Sequence, residues 1–161
     1  MAKPKDKSRD FSPRIENRKA WHDYFVLDKL EAGVVLKGSE VKSIRLGQAS
    51  LAEGFASIDP RTLELRLNAV HIAPYPHAGE ANNHEPLRPR RLLVHKREVL
   101  KLLDQTKARG GTLVPLALYF VRGRVKVELG IVTGKKKADK REDIKRRDAQ
   151  REIQRAMSRK G

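Results

Sequence analysis

The chain has 161 residues, with 36 Lys and Arg against 20 Asp and Glu, a net charge of +16, and no Cys. This length suits one domain with its own core, and the lack of Cys excludes disulfides, thiolate metal sites and a cysteine nucleophile. The charge predicts a polyanionic partner, and nucleic acid is favoured over an anionic membrane because no amphipathic segment sets large apolar residues opposite the cations.

The first segment, residues 1–13, is polar and basic and contains Pro4 and Pro13, so it is predicted to be flexible. It leads into no apolar stretch of the kind found in secretion signals. No apolar run in the chain approaches the roughly 20 residues of a membrane span. We therefore expect a cytoplasmic protein.

The first predicted elements are a helical turn at residues 15–20 and a long, bent strand at residues 24–36, which is rich in strand-forming residues. Gly38 ends the strand. Val41 and Ile44 then share one face of a short helical segment, and Glu40, Lys42 and Arg45 are predicted to face water or a partner.

Two short strands at residues 50–58 and 63–67 flank Asp59-Pro60-Arg61, which indicates a hairpin. Residues 68–74 form another short strand, and residues 76–89 a loop without periodicity. Arg88, Arg90 and Arg91 surround Pro89, which keeps the backbone extended. Spaced guanidinium groups suit phosphates and bases, and the alternative is a solvated loop edge.

The clearest helix spans residues 95–108, with Val99 and Leu102 on its buried face and Gly110 after its end. Residues 112–121 and 125–132 form a second hairpin, in which Lys126 points away from the core. About six strands with two or three helices predict a mainly β fold with α. We expect a small antiparallel β-barrel like the oligonucleotide-binding fold, followed by a basic C-terminal tail.

The composition changes after Gly134, and residues 14–133 are predicted to form the barrel domain and residues 134–161 the tail. The tail holds 12 Lys and Arg, five Asp and Glu, and few large apolar residues. We predict that it is disordered when free and helical on a partner. The alternative is a helix docked on its own barrel.

No catalytic or metal site is favoured. His77 and His84 share a loop with Glu80 and Glu85, but their spacing matches no metal site, and two exposed histidines are the preferred interpretation. A nuclease that holds magnesium through Asp28, Glu31 and Glu40 is conceivable, since carboxylates bind that ion, but nothing in the sequence favours it. We expect a binding protein without a cofactor, not an enzyme.

Five segments of the sequence resemble motifs of the SmpB family, and they occur in the same order and at the same spacing as in that family. They are NRKAWHDYF at 17–25, GVVLKGSEVKSIR at 33–45, PLRPRRLLVHKRE at 86–98, GRVKVELG at 123–130 and GKKKADKR at 134–141. The resemblance covers roughly residues 10–157. It implies an oligonucleotide-binding-like barrel that binds the tRNA-like end of transfer-messenger RNA (tmRNA, or SsrA RNA). It also implies delivery of that RNA to stalled ribosomes for trans-translation, which tags the unfinished peptide and frees the ribosome.

The resemblance also assigns roles to matching positions. It implies that Glu31, Leu92 and Lys126 contact tmRNA as a carboxylate acceptor, an apolar contact and a phosphate-binding cation. The further candidates for RNA binding are basic residues, namely Arg18, Lys19, His22, Lys42, Arg45, Arg88, Arg90, Arg91 and Arg124. The charge alone would also suit a general cationic RNA-binding protein or RNA chaperone without preference for tmRNA.

In the tail, the resemblance implies that Asp139-Lys140-Arg141 acts in the ribosome step. The candidate ribosome contacts, at the decoding centre and messenger channel, are Lys135, Lys136, Lys137, Asp139, Lys140, Arg141, Ile144, Lys145 and Ile153. Ala138 departs from the family, which often has an aromatic residue or His able to stack there. Trp21 is predicted to be too far along the chain to replace it. We expect a monomer when free, with tmRNA and the ribosome as partners and no membrane.

Overall fold

The computed structural model describes residues 13–135 and 137–160. These residues form nine strands and four helices. The helices are α1 Arg18–Asp23, α2 Gly38–Arg45, α3 Lys96–Arg109 and α4 Lys137–Lys160. The strands are β1 Ile15–Glu16, β2 Tyr24–Val34, β3 Ala49–Ser50, β4 Phe55–Ile58, β5 Leu65–Asn68, β6 His71–Ile72, β7 Arg90–Leu93, β8 Thr112–Val121 and β9 Arg124–Gly134.

Six antiparallel strands form a closed ring in the order β8-β4-β5-β7-β2-β9, and β9 returns to pair with β8. β1 extends this sheet beyond β8, while β3 and β6 pair separately. The ring confirms the predicted mainly β fold with about six principal strands. The four helices exceed the two or three that the sequence predicts.

Alternating apolar and polar residues give β9 a buried inner face. In β9, Val125, Val127 and Leu129 are buried in the core, while Lys126 and Glu128 are only partly covered. β2 pairs with β9 from Tyr24 opposite Gly134 to Gly33 opposite Lys126, with an irregularity between Val26 and Asp28. The start of β2 therefore lies beside the end of β9, and the end of β2 lies beside the start of β9.

Helix α3 confirms the prediction for residues 95–108. Val99 and Leu102 are buried, and Gly110 ends the helix with φ 63°, where its N–H donates to the carbonyl of Thr106. A left-handed conformation of this kind is accessible to glycine at little cost.

Two local predictions require correction. Ile15–Glu16 is a strand, and α1 begins only at Arg18, because the buried Asn17 side chain accepts from the Ala20 N–H at 3.1 Å. The same side chain donates to the carbonyls of Leu51 and Pro115, at 3.0 and 2.8 Å. The cationic segment after Pro89 also continues into β7, which pairs with β5 and β2 and was not predicted.

Helix α4 covers most of the tail. Its described side chains from Ile144 to Met157 are all exposed, so burial of those side chains does not hold the helix against the ring. That the tail gains its helix only on a partner stays a prediction. None of the helices in the described part of the chain is both long and apolar enough to cross a bilayer.

Candidate nucleic-acid interface

Predicted RNA-binding residues meet on the outer surface of β2 and β9. Glu31, Gly33, Leu93 and Lys126 line one shallow depression, and Arg124 joins Gly33, Leu93 and Lys126 around the next. We name these five residues the β2–β9 face. It presents two cations, one carboxylate and one exposed leucine side by side.

Glu31 is held in place by a neighbouring strand. The hydroxyl of Tyr119 in β8 donates to Glu31 Oε2 at 2.5 Å, and the Arg14 guanidinium lies 4.9 Å from the centre of the Tyr119 ring. Burial and the bond to Glu31 raise the pKa of Tyr119, so the hydroxyl remains a donor at neutral pH. The Glu31 carboxylate keeps further acceptor capacity for a ligand, because two oxygens accept about four hydrogen bonds.

A small gap lies at Gly33, between the side chains of Lys126 and Leu93. A Cβ at Gly33 would lie 3.7 Å from Lys126 Nζ and 3.4 Å from Leu93 Cβ, so the glycine leaves a notch between these two side chains. Leu36 and Val41 continue the apolar floor toward Arg124. A sugar or base can contact this floor while the cations meet phosphates.

A second basic edge lies on α2. The Lys42 ammonium is 5.3 Å from the centre of the Tyr75 ring, and the Arg45 guanidinium is 5.3 Å from that of Phe120. Both cations are exposed, as predicted, and the rings restrict where they point.

The structure corrects the predictions for Glu40 and Arg90. Glu40 and Arg90 are both fully buried, not facing water or RNA. Arg90 Nε donates to Glu40 Oε2, and Arg88 Nη2 donates to Glu40 Oε1 at 2.5 Å. Arg90 also donates to the carbonyls of Val70 and Pro86, at 2.7 and 3.1 Å. Arg90 therefore joins α2 to the loop before β7 and has no surface left for RNA.

Burial acts to raise the pKa of Glu40, but hydrogen bonds from the Lys37 amide, Arg88 and Arg90 outweigh it and hold that pKa below its usual value. The Lys37 N–H bond, at 2.8 Å, also secures the first turn of α2. Glu40 is therefore ionised at neutral pH and balances the Arg90 charge.

Two further predicted exposures are wrong. Leu92 is 3% exposed and belongs to the core, whereas Leu93, the next residue of β7, is 54% exposed on the β2–β9 face. Successive strand residues point to opposite faces, so only one of the two can reach a ligand. His84 is buried and bonds Ser39 Oγ at 2.8 Å and the Ile72 carbonyl at 2.9 Å.

The candidates in α1 lie at the other end of β2. Arg18, Lys19 and His22 are exposed. Lys19 pairs with Glu53 at 2.7 Å, and that hydrogen bond raises the pKa of Lys19. His22 Nδ1 lies 2.9 Å from an Asp23 oxygen. These residues are not brought together with Glu31 and Lys126.

Trp21 lies beside the start of the tail, although the two are far apart in the sequence. Lys135 Nζ donates to the Trp21 carbonyl at 3.2 Å, and the Lys135 N–H donates to the Asp23 carbonyl at 2.9 Å. The pairing of β2 with β9 brings these segments together, a long-range contact that no local sequence pattern reveals.

The remaining candidates stand apart from these clusters. Arg91 is exposed, and its Nε lies 3.9 Å from Glu64. In the tail, Arg141, Ile144, Lys145 and Ile153 are exposed. Lys136 and the side chains of Lys137, Asp139 and Lys140 lie outside the described structure.

No group of three or more His, Asp or Glu side chains suited to a metal occurs among the described residues. The three carboxylates considered for a nuclease each bind other side chains of the protein. Glu40 is buried between arginines, Glu31 accepts from Tyr119, and Asp28 accepts from Gln105 at 3.3 Å.

Comparisons with known proteins agree on one family. The family model described as "SmpB protein" matches residues 14–159. The SsrA-binding protein of Carboxydothermus hydrogenoformans is 55% identical over 142 residues, 88% of this chain and 93% of that protein. The SsrA-binding protein of Geobacillus kaustophilus is 54% identical over 142 residues, 88% of this chain and 90% of that protein.

A solved structure described as "tmRNA-SmpB: a journey to the center of the bacterial ribosome" contains a similar chain. The TM-score is 0.65 at 44% sequence identity, and the match covers 83% of this chain and 95% of the other.

Proposed function

We infer the function from the family, since the chain belongs to the SmpB protein family. We propose that it binds the tRNA-like domain of tmRNA and delivers that RNA to stalled bacterial ribosomes for trans-translation. It acts there as an RNA-binding adaptor in the cytoplasm. The observation that carries the proposal is that three separated family-like segments build one surface, the β2–β9 face.

Each part of that face suits a different part of an RNA. Lys126 can bind a phosphate through its compact ammonium group, and Arg124 can bind one through its planar guanidinium group. Glu31, fixed by Tyr119, accepts from an amino group on a base edge, which a phosphate cannot provide. Leu93 and the floor of the notch contact a sugar or an unstacked base. A face that pairs one acceptor with two cations favours a particular RNA shape over bulk polyanion.

We propose a division of labour along the chain. Residues 14–133 recognise tmRNA, and residues 134–161 meet ribosomal RNA at the decoding centre and along the messenger channel. The exposed described side chains of α4 agree with a segment that finds its contacts on a partner. The tail is then disordered in the free monomer and ordered on the ribosome. The exposed candidates in α1 and α2, with Arg91, remain predicted RNA contacts.

The experiment compares salt dependence in two variants. Lys126→Ala should weaken binding to the tRNA-like domain and lower the slope of log affinity against log salt by about one, as expected when one phosphate contact is lost. Glu31→Ala should leave the slope nearly unchanged and reduce the preference over an unrelated RNA of equal length. Lys107→Ala, an exposed lysine of α3, is the matched control for charge.

Equal slopes and equal losses of preference in both variants would contradict these roles. A parent protein that binds the unrelated RNA as tightly as the tRNA-like domain would favour the second candidate, a general cationic RNA-binding protein, which the net charge of +16 alone would support. RNA cleavage with magnesium would instead indicate a nuclease.

A further inference from the structure

Two arginines lie opposite each other on the outer surface of the sheet. In the antiparallel pairing of β5 with β7, Arg66 lies directly opposite Arg91. Both are exposed, whereas their neighbours along the two strands, such as Leu65 and Leu92, are buried. Because successive strand residues point to opposite faces, the two guanidinium groups project outward on the same side of the sheet. We name these two residues the Arg66–Arg91 pair.

The pair is continuous with the β2–β9 face. Arg91 lies outside the two depressions of that face, but it is two residues from Leu93 on the same side of β7, a separation of roughly 7 Å. Gly33 lies opposite Leu93, and the N–H of Val35 donates to the carbonyl of Arg91 at 2.9 Å. An RNA strand on the β2–β9 face can therefore pass from Leu93 to the pair along the surface of the sheet.

The charge of the pair is not balanced. Like charges directly opposite each other on paired strands repel and reduce the stability of a sheet. Glu64 offsets part of this repulsion, because its Oε2 accepts from Arg66 Nη2 at 3.3 Å and its Oε1 lies 3.9 Å from Arg91 Nε. Among the described residues, no other carboxylate lies within 4.0 Å of either guanidinium. Two positive charges thus share one negative charge, and each guanidinium keeps N–H donors for a ligand.

A phosphate group supplies what the pair lacks. It carries negative charge and several acceptor oxygens, and a planar guanidinium can bind it through two parallel hydrogen bonds. Neighbouring strands lie about 4.8 Å apart, so guanidinium groups on two such strands can hold one phosphate between them. A peptide rich in carboxylates would also supply acceptors. The adjoining cations Arg124 and Lys126 and the net charge of +16 favour RNA, whose backbone offers phosphates continuously along this path.

We propose that the Arg66–Arg91 pair clamps one backbone phosphate of the RNA whose neighbouring nucleotides lie on the β2–β9 face. The clamp adds affinity and directs the RNA across β7 toward β5, and it adds no sequence preference of its own. This inference rests on the proposed function, in which that RNA is the tRNA-like domain of tmRNA. The sequence did not identify Arg66, because only the register of β5 and β7 brings it to Arg91.

The experiment measures how the full-length protein binds the tRNA-like domain at several salt concentrations. The double variant Arg66→Gln with Arg91→Gln should bind at least about tenfold more weakly, as expected for the loss of one hydrogen bond to a charged group. Its slope of log affinity against log salt should fall by about one, because one phosphate contact is lost. Each single variant should lower the slope by less, since the remaining arginine still binds the phosphate.

Two controls separate the clamp from total charge and from folding. The double variant Lys107→Gln with Arg109→Gln removes two exposed cations at the end of α3, and its slope should match that of the parent. In urea denaturation, Arg91→Gln should have a midpoint no lower than the parent, because it relieves the repulsion between the strands. A purely structural role of Arg91 would instead lower that midpoint.

A double variant of the pair with the affinity and slope of the parent would overturn the proposal. Single variants that each lower the slope by about one, with a fall of about two in the double variant, would indicate two separate phosphates and would also overturn it. Equal losses in the α3 control would assign the effect to net charge. Binding of polyglutamate that is lost in the double variant, with RNA binding unchanged, would assign the pair to a protein partner instead.

The proposed function fails by a different result. A parent protein that binds an unrelated RNA of equal length as tightly as the tRNA-like domain would contradict that function. The slopes of the parent and of the double variant could still be compared in that case, so the two failures are distinguishable.

Discussion

Glu40→Gln should destabilise the protein far more than a surface substitution of the same kind. The change keeps the size of the side chain and one carbonyl oxygen but removes the charge. Arg90, which is fully buried, would keep its guanidinium charge with no carboxylate to balance it, since the carbonyls of Val70 and Pro86 and the remaining amide oxygen are all neutral acceptors. Arg88, partly exposed, can turn toward water.

The magnitude follows from the asymmetry of buried ion pairs. Removing one partner leaves an uncompensated buried charge and costs about 3–5 kcal/mol, although the intact pair contributes little net stability. Glu64→Gln is the matched control, because Glu64 pairs with the exposed Arg66 at 3.3 Å, and such surface pairs are worth about 0–1 kcal/mol. The double variant Glu40→Leu with Arg90→Met should recover most of the loss.

Urea denaturation followed by circular dichroism gives the free energy of unfolding of each variant under identical conditions. The expected order of stability is parent, Glu64→Gln, the double variant and then Glu40→Gln. If Glu40→Gln unfolds at the same urea concentration as Glu64→Gln, the Glu40 charge does not compensate Arg90. The assignment of Arg90 as a buried structural residue would then fail.

The remaining predictions concern pH, the tail and β7. The pKa of Glu40 is lowered in the folded protein. Its contribution to stability is therefore complete above the ordinary pKa of 4.5 and is lost as the pH falls from there through the lowered value. The urea midpoint should drop in that pH window for the parent, and it should drop less for Glu40→Gln. Deletion of residues 134–161 should leave tmRNA affinity within a few-fold yet abolish tagging on a ribosome stalled without downstream message, and circular dichroism of the isolated tail should show little helix. Wild-type tagging by the deletion variant, or a stable helix in the isolated tail, would contradict that division of labour. Leu92→Ala should cost about 2–5 kcal/mol of stability as a core truncation. Leu93→Ala should leave stability nearly unchanged and weaken tmRNA binding. The reverse outcome in denaturation and filter-binding assays would contradict these assignments.

Elements whose pattern is local were predictable. Helix α3 shows the spacing of Val99 and Leu102 with a glycine after its end, and β9 alternates from Val125 to Leu129. The ring itself was within reach because these elements and the two hairpins are typical of a small closed sheet. The resemblance to the SmpB family then identified Glu31 and Lys126, which lie on the β2–β9 face, as predicted RNA contacts.

What the sequence could not reveal depends on contacts between distant segments. Glu40 looked solvated because its neighbours along the helix are charged, and only the fold brings Arg90 to it. Strand β7 is short and follows a proline, so its period of two was not recognised. Trp21 meets Lys135 only because β2 and β9 pair along their length.

The closed ring also constrains how the molecule can form. The ring needs the pairing of β2 with β9, and the paired residues Tyr24 and Gly134 lie far apart in the sequence. In the same way, β1 cannot pair until β8 is available. Bringing such distant strands together costs conformational entropy before the stabilising contacts between them have formed. Folding should therefore be slow for a domain of this size. During synthesis β2 cannot pair with β9 until β9 has left the ribosome. The residues that β2 buries against β9 should therefore stay exposed for most of translation.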